Sequence, residues 1–226
     1  AIKDTLTDEE ITKKIDAVLA SEIDRVGQKL RVDAIALINE SGDKGKFEAA
    51  AKIISSKAPE VPVILSTTDP AAAEAAVKLF TGKKPVIYGA NSGNAEAMAS
   101  IAKAEKATLG VVANGLDELS TLTEKIKSLG VEDMIIDSGA KTAKEIIENN
   151  TLIRRAAAKK NFKALGYPVI NFVQRDDSLY EAMIAAIGIT KYASVMVLNS
   201  IERWKNLALF TLRQNIYTDP QVPMQV

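Results

Sequence analysis

The sequence predicts an α/β protein built from eight βα units, a (β/α)8 TIM barrel, and three observations predict it. Short apolar runs rich in β-branched residues recur along the whole chain. Segments of helical patterning about 10 to 15 residues long separate them, the signature of βαβ units and a parallel sheet covered on both faces. Those segments also carry explicit start signals.

The apolar runs are AIALI at 34–38, VPVIL at 61–65, PVIY at 85–88, TLGVV at 108–112, MII at 134–136, VINFV at 169–173 and VMVL at 195–198. A first helix near residues 8–20 follows the fragment 1–3. Read as the end of a first strand, that fragment raises the count to eight, the number that closes a barrel. An open doubly wound parallel sheet is the alternative, since closure cannot be read from a strand pattern.

Thr7 with Glu10, Thr142 with Glu145 and Ser178 with Glu181 have capping-box spacing, in which a hydroxyl accepts from the N3 amide and the carboxylate reaches back. Asp69 before Pro70 places an N-cap carboxylate ahead of a proline at the first helical position. Ser200 is placed to cap a helix from Ile201. Gly130 follows the helix from Asp117 as a left-handed C′ residue would. No internal repeat beyond the βα period and no Gly/Pro/Ser linker interrupts the chain, so residues 1–215 read as one barrel domain. Residues 216–226 read as a connector: Asp219-Pro220 breaks the last helix, with a turn over 217–220 and an extended exit over 223–226.

Composition narrows the chemistry. The 226 residues hold 29 basic and 29 acidic side chains, so no net field draws nucleic acid or an anionic membrane. Lys159, Lys160 and Lys163 form the densest basic cluster, and at a helix end they complement its dipole. Cysteine and histidine are absent, which removes disulfides, thiolate and imidazole metal sites, iron–sulfur ligation and histidine triads from this stretch. The lack of cysteine fits a cytoplasmic location. No apolar run reaches the roughly 18 residues of a membrane-spanning helix.

Ligands of parallel barrels and sheets bind at the carboxyl ends of the strands. There the sequence places Asn39, Glu40, Ser41, Ser66, Thr67, Thr68, Gly89, Asn91, Asn94, Asn114, Asp137, Ser138, Gln174 and Asn199. Such an amide-rich rim suits a neutral, polar, ring-bearing ligand such as a pterin better than a phosphate. The candidate substrate-binding set is Asn91, Asn114, Asp137, Asn171 and Asn199, with no catalytic or metal residue. Against it, Asn, Ser and Thr are the ordinary turn and cap residues of any βα loop. Asn171, inside VINFV, either lines the lumen near the mouth or needs a buried partner. Asp137 is the leading mouth carboxylate and Glu40 the second, while Asp33 precedes its strand and falls on the opposite face. The runs carry no lysine at their ends, which disfavours a Schiff-base aldolase. GANSGN at 89–94 lacks the three-glycine dinucleotide pattern and the P-loop lysine. Tyr88 and Trp204 read as packing residues.

Two longer stretches, RVGQKLRVDAIALINESGD at 25–43 and TLRQNIYTDPQVPMQV at 211–226, closely resemble the large (gamma) subunit of the corrinoid iron–sulfur protein of the carbon monoxide dehydrogenase/acetyl-CoA synthase system. VPVILSTTDP, KKPVIYGAN, IRRAAAKK and LGYPVINF extend the likeness over essentially the whole chain. Asp137-Ser138-Gly139 departs from that family's pattern, which would place a proline after the aspartate. The resemblance implies a central TIM barrel between an N-terminal four-cysteine [4Fe-4S] domain and a C-terminal cobamide-binding domain, both outside these residues. It implies a methyl carrier that takes a methyl group from a methyl-tetrahydropterin or methyl-tetrahydrofolate, or from the methyltransferase that handles it, and delivers it to acetyl-CoA synthase. The implied partner subunit is the small (delta) corrinoid protein subunit, itself a barrel, with this barrel serving as scaffold and dock.

Overall fold

A computed structural model describes residues 1–218. In chain order the elements are β1 (Ile2–Lys3), α1 (Asp8–Leu19), β2 (Ile23–Arg25), β3 (Gln28–Leu30), β4 (Ile35–Ile38), α2 (Lys44–Lys57), β5 (Val63–Ser66), α3 (Pro70–Val77), β6 (Val86–Ala90) and α4 (Ala95–Glu105). There follow β7 (Thr108–Val112), α5 (Leu116–Ser128), β8 (Met134–Asp137), α6 (Ala143–Lys160), β9 (Ile170–Phe172), α7 (Ser178–Thr190), β10 (Val195–Val197) and α8 (Arg203–Arg213). Apart from the β2–β3 hairpin, every strand is parallel to its neighbours and followed by a helix.

The order β1-β4-β5-β6-β7-β8 forms one continuous sheet, and β9 pairs with β10. Thinner contacts join the two arcs. Ile136 bridges Val169 and donates its N–H to Pro168 O at 2.8 Å. On the other side the Ala1 nitrogen reaches Leu198 O at 2.5 Å. The ring closes with eight parallel strands, and the open-sheet alternative falls away.

Side-chain alternation separates two cores. Ile35, Leu37, Val63, Leu65, Ile87, Leu109, Val111, Met134 and Ile136 point outward and bury against the helices. Ala36, Ile64, Tyr88, Ile135, Ile170, Phe172 and Val197 point inward and fill the lumen. Alanine-rich faces bring the helices close to the barrel: Ala72, Ala73 and Ala76 of α3 are wholly buried.

The capping boxes at Thr7/Glu10 and Thr142/Glu145 are both formed, and Asp69 caps α3 ahead of Pro70. Gly130 takes φ +86° and donates to Lys127 O while Val131 donates to Ile126 O, a Schellman stop for α5.

Three local expectations are corrected, and one element was unforeseen. Asp177, not Ser178, caps α7, accepting from the amides of Leu179 and Tyr180. A carboxylate one residue upstream wins the cap, and Glu181 turns inward to another partner. Ser200 caps nothing: α8 starts at Arg203, and the serine hydroxyl bonds Glu202. The last helix does not stop at 215 but continues as a π-helical segment over Gln214–Thr218, while residues 219–226 lie outside the described residues. Finally, β2 and β3 form an antiparallel hairpin that the sequence pattern did not reveal. Its turn residues Val26 and Gly27 both have positive φ, the two-residue geometry that matches strand twist. By connectivity the hairpin lies at the amino ends of the strands. Gln214 clasps it through Arg25 and Gln28, and Arg213 pairs with Asp33 on the same side.

Candidate functional site

The carboxyl ends of the strands are where a barrel of this kind would hold a ligand, and here they are largely filled from within. Tyr88, inward on β6, lies over Phe172 of β9 with ring centroids 4.2 Å apart and 30° between planes. Its hydroxyl donates to Asp137 Oδ2 at 2.8 Å. Space for the ring comes from Gly110, its register partner on β7, where any Cβ would sit 2.8 Å from Tyr88 Cα. Asp137 ends β8 with no exposed surface, and its Oδ1 accepts from Gly139 N at 2.8 Å. Gly139 has φ +73°, and a Cβ there would lie 2.9 Å from Ala113 O, so glycine suits this turn, and Ser138 stands where the family pattern would place a proline. Burial pushes the Asp137 carboxyl above the ordinary carboxylate range, against the opposing pull of the Tyr88 and Gly139 hydrogen bonds. Burial, then the adjacent carboxylate, pushes the Tyr88 phenol up as well, so it stays protonated.

The other predicted residues are dispersed. Asn91 spends its side chain within its own loop, accepting from Gly93 N at 2.9 Å and donating to Gly89 O. Asn114 is exposed at the mouth beside Gly139. Asn199 is half-buried and donates its backbone N–H to Glu181 Oε1 at 2.6 Å. Asn171 is a correction. It stands on the helix side of β9, between the inward Ile170 and Phe172, and accepts from Asn150 of α6 at 2.9 Å. Of its two readings, the buried-partner one holds, because the alternation of the strand turns the amide away from the lumen.

Glu40 and Asp137 stand on opposite walls, four strands apart in the ring. Glu40 is engaged by Lys3 at 2.6 Å and Thr5 at 2.8 Å, contacts that hold its carboxyl below the usual range. Lys3 closes β1 at the mouth, so a strand-end lysine does exist; it is ion-paired to Glu40. Asp4 accepts from the amides of Glu40 and Ser41, each at 2.9 Å, and from the Ser41 hydroxyl. Asn94 donates to Thr68 O and Gly89 O.

Sequence reasoning missed a second polar centre, under the β9–α7 and β10–α8 loops. Lys205 and Glu181 meet at 2.5 Å with both side chains fully buried. Lys205 Nζ also bonds the hydroxyls of Ser200 at 2.6 Å and Ser178 at 3.3 Å. Glu181 Oε1 accepts from the amides of Asn199 and Arg175. Every strong donor and acceptor of this pair is satisfied. Gln174 was named only as a rim residue. By strand alternation it follows the inward Phe172, and its Nε2 is buried with no hydrogen-bond partner. A glycine in mid-strand, Gly110, was the one sequence signal for the Tyr88 plug.

Two shallow hollows lie on the outside of the barrel. One, of about 220 Å³, is lined by Pro59, Pro62, Phe80 and Lys83 toward the amino ends of the strands, and the other lies along the first turns of α1. Among the described residues no group of three or more Asp or Glu side chains could hold a metal ion. No helix among them is long and apolar enough to cross a membrane.

Comparison with known proteins gives concordant results. Residues 1–226 match the sequence family described as the CO dehydrogenase/acetyl-CoA synthase delta subunit. The chain is 37% identical over 225 residues to the corrinoid/iron-sulfur protein large subunit of Moorella thermoacetica, covering 100% of the chain and 50% of that protein. It is 34% identical over 238 residues to the acetyl-CoA decarbonylase/synthase complex subunit gamma of Methanothermobacter thermautotrophicus, covering 52% of that protein. The chain thus spans about half the length of the curated relatives it matches. Among solved structures, Mycobacterium tuberculosis Rv1207 superposes with a TM-score of 0.65 at 15% identity, over 97% of this chain and 92% of that one. Yersinia pestis dihydropteroate synthase does so with a TM-score of 0.64 at 11% identity, over 95% and 90%. These two likenesses bear on fold alone.

Proposed function

The chain belongs to the CO dehydrogenase/acetyl-CoA synthase subunit family it matches over its whole length, and from that premise we propose that it is the barrel of a corrinoid/iron–sulfur methyl-carrier subunit, acting chiefly as scaffold and dock. In this reading the whole subunit carries a methyl group from a methyl-tetrahydropterin or methyl-tetrahydrofolate donor to acetyl-CoA synthase. Its working compartment would be the cytoplasm.

The observation that carries the scaffold role is the filled mouth. Tyr88, Phe172 and Asp137 occupy the lumen at the level where a substrate would enter, and they satisfy one another. The residues present do not fit the prosthetic groups for which the relatives are named. A [4Fe-4S] cluster wants four thiolates and this chain has no cysteine. For a corrinoid, the lumen near the mouth is already taken by Tyr88, Phe172 and Asp137. We therefore place both groups outside these residues and derive no step through them. What the chain's own residues do is hold the barrel rigid: Asp4 ties the β1 loop to the β4 loop, and Glu181 with Lys205 ties the last two loops together.

The test is methyl transfer by the full-length subunit carrying Asn114→Ala and Gln174→Ala. Rates within about twofold of the parent are expected, and a loss of a hundredfold or more would overturn the scaffold reading.

A second reading has one observation in its favour. The Nε2 of Gln174 is buried and unpartnered, a donor without an acceptor, as a carbonyl-bearing pterin ring would supply. Asn114 and Asn199 would flank such a ring; Asn91 and Asn171 are otherwise engaged. Calorimetric titration with a methyl-tetrahydropterin to millimolar concentration decides it. A saturable heat that disappears in the Gln174→Ala variant would favour this site, and silence would remove it.

A further inference from the structure

On the side of the barrel away from the mouth lies a concentration of positive charge that the neutrality of the whole chain conceals. Residues 149–175 and 182–201 contain no aspartate or glutamate, and the ends of α6 and α7 bring these two stretches together. Arg154, Arg155, Lys159, Lys160 and Lys163 are exposed there, and Lys191, just past α7, is half-buried. Elsewhere the surface pairs its cations, as Lys3 with Glu40, Lys84 with Asp133 and Lys125 with Glu96. Among the described residues none of these six meets a carboxylate at ion-pair distance. The dipole of α6 accounts for Lys159 and Lys160, in its last turn, and for no others. Arg155 and Lys159 are spaced i,i+4, a like-charge pair that works against the helix carrying it.

Two aromatic side chains stand among the cations, each displayed by a helix stop. Asn161 takes φ +49° after α6, and the amides of Asn161 and Phe162 both donate to Ala156 O, which turns Phe162 outward, 40% exposed. Tyr192 itself takes φ +66°, a left-handed conformation that aromatic residues seldom adopt, and the Ala193 amide donates to Gly188 O at 3.0 Å behind it. The ring is 47% exposed, with the Arg154 guanidinium 5.8 Å from its centroid. The cluster is thus held in place by backbone hydrogen bonds at both helix ends.

We infer that this face is the docking site for an acidic surface of a partner protein, one that binds and leaves. The inference rests on the reading above that the barrel serves as a dock, since a methyl carrier must meet a donor and an acceptor in turn. Charge complementarity sets the sign of the occupant, and a contact dominated by exposed charge associates fast and weakens with salt. Arginine, phenylalanine and tyrosine are residues that protein interfaces favour. A bilayer surface calls for a helix with a broad apolar face, and the outward face of α6 is charged. A single-stranded nucleic acid calls for a basic groove along its phosphates, and neither hollow on this surface is lined by any residue of the cluster.

The experiment uses the full-length subunit in its native complex. Zero-length carbodiimide cross-linking joins lysine amines to carboxylates they touch, and mass spectrometry then identifies both residues. Lys159, Lys160, Lys163 or Lys191 should cross-link to aspartates or glutamates of another protein of the complex, and the products should vanish at high salt. In parallel, sedimentation of the full-length subunit with the remaining proteins of the complex is compared for the parent, Arg155→Glu/Lys159→Glu, and the control Lys52→Glu/Lys57→Glu on α2 across the barrel. The first variant should weaken association at least tenfold at low salt and little at high salt, with the control within twofold. Arg155→Gln/Lys159→Gln replaces the reversal should that variant fail to fold.

Undiminished association of the folded variant, without cross-links from these lysines, overturns the assigned face and leaves the dock reading standing. Cross-links confined to carboxylates of the same subunit overturn the proposal in favour of one of its own domains. A parent subunit that associates with no other protein overturns both readings. Tighter binding to phosphatidylserine vesicles or to an oligothymidylate than to the proteins, lost in the variant, overturns a protein as the occupant.

Discussion

Replacing Lys205 with methionine should be the most damaging single change on this side of the barrel. Lys205 Nζ is fully buried, 2.5 Å from Glu181 Oε2, with the hydroxyls of Ser200 and Ser178 completing its shell. Methionine keeps the length of the stem and removes the charge. The Glu181 carboxylate then remains buried with two backbone amides, from Asn199 and Arg175, and no counter-charge. Breaking a buried pair from one side costs about 3–5 kcal/mol. The two surviving amide donors place the expected loss at the lower end, about 3 kcal/mol. For a domain of this size that lowers Tm by roughly 6–12 °C.

Glu181→Gln/Lys205→Met should recover much of that loss, because no charge is left without a partner and a neutral oxygen still meets the two amides. Urea unfolding of the parent, both single variants and the double variant gives the coupling energy directly. A loss below about 1 kcal/mol for Lys205→Met, or additive single effects, would refute the view that this pair fastens the β9–α7 and β10–α8 loops.

Asp137→Asn should flatten part of the pH dependence of stability. The folded carboxyl titrates above its unfolded range, so the folded state holds the extra proton between the two values. Parent stability therefore falls as pH rises through that window, and the variant's does not; parallel unfolding curves from pH 4 to 8 would contradict this. Gly89→Ala should cost at least about 2 kcal/mol, because φ is +125° and the new Cβ would overlap the Thr67 carbonyl; chemical denaturation reads it. Asn150→Leu alone should destabilise by about 1–3 kcal/mol by stranding Asn171, whereas Asn150→Leu/Asn171→Leu should be near neutral, since each amide already has one buried atom without a partner; a double variant as unstable as the single would show that a bridging group satisfies them.

What was legible in the sequence was whatever is encoded locally. Thr7 with Glu10, Thr142 with Glu145 and Asp69 with Pro70 lie within one turn of the groups they bind, so spacing alone identifies them. Ser178 with Glu181 has the same spacing and a different outcome. Its glutamate is claimed by Lys205, on the next helix, and no local pattern carries that information. The direction of Asn171 was open because a strand apolar on both faces gives alternation no phase. Closure was equally hidden. It depends on the Ile136–Val169 bridge and the Ala1–Leu198 contact, which join distant segments. The hairpin escaped because three-residue strands with mixed exposure carry no periodicity, leaving only Gly27 as a turn signal.

The polar residues at the mouth bear on function through what they bind rather than through their type. An amide- and carboxylate-rich rim suggests a ligand when its groups point at empty space. Here Asp4 is spent on the amides of Glu40 and Ser41, Asn94 on the carbonyls of Thr68 and Gly89, Glu181 on the amides of Arg175 and Asn199, and Asp137 on Tyr88 and Gly139. In each case a buried or half-buried side chain ties one βα loop to itself or to its neighbour, as backbone groups beyond the last ladder bond require. Loops so fastened rearrange around a substrate only by giving up these hydrogen bonds. They do present a fixed outer wall, and on α7 Leu179, Tyr180 and Met183 make that wall apolar. Glu181, by turning inward to Lys205, removes the charge from the surface of α7 and locks the β9–α7 and β10–α8 loops, while Tyr88, Phe172 and Asp137 fill the lumen.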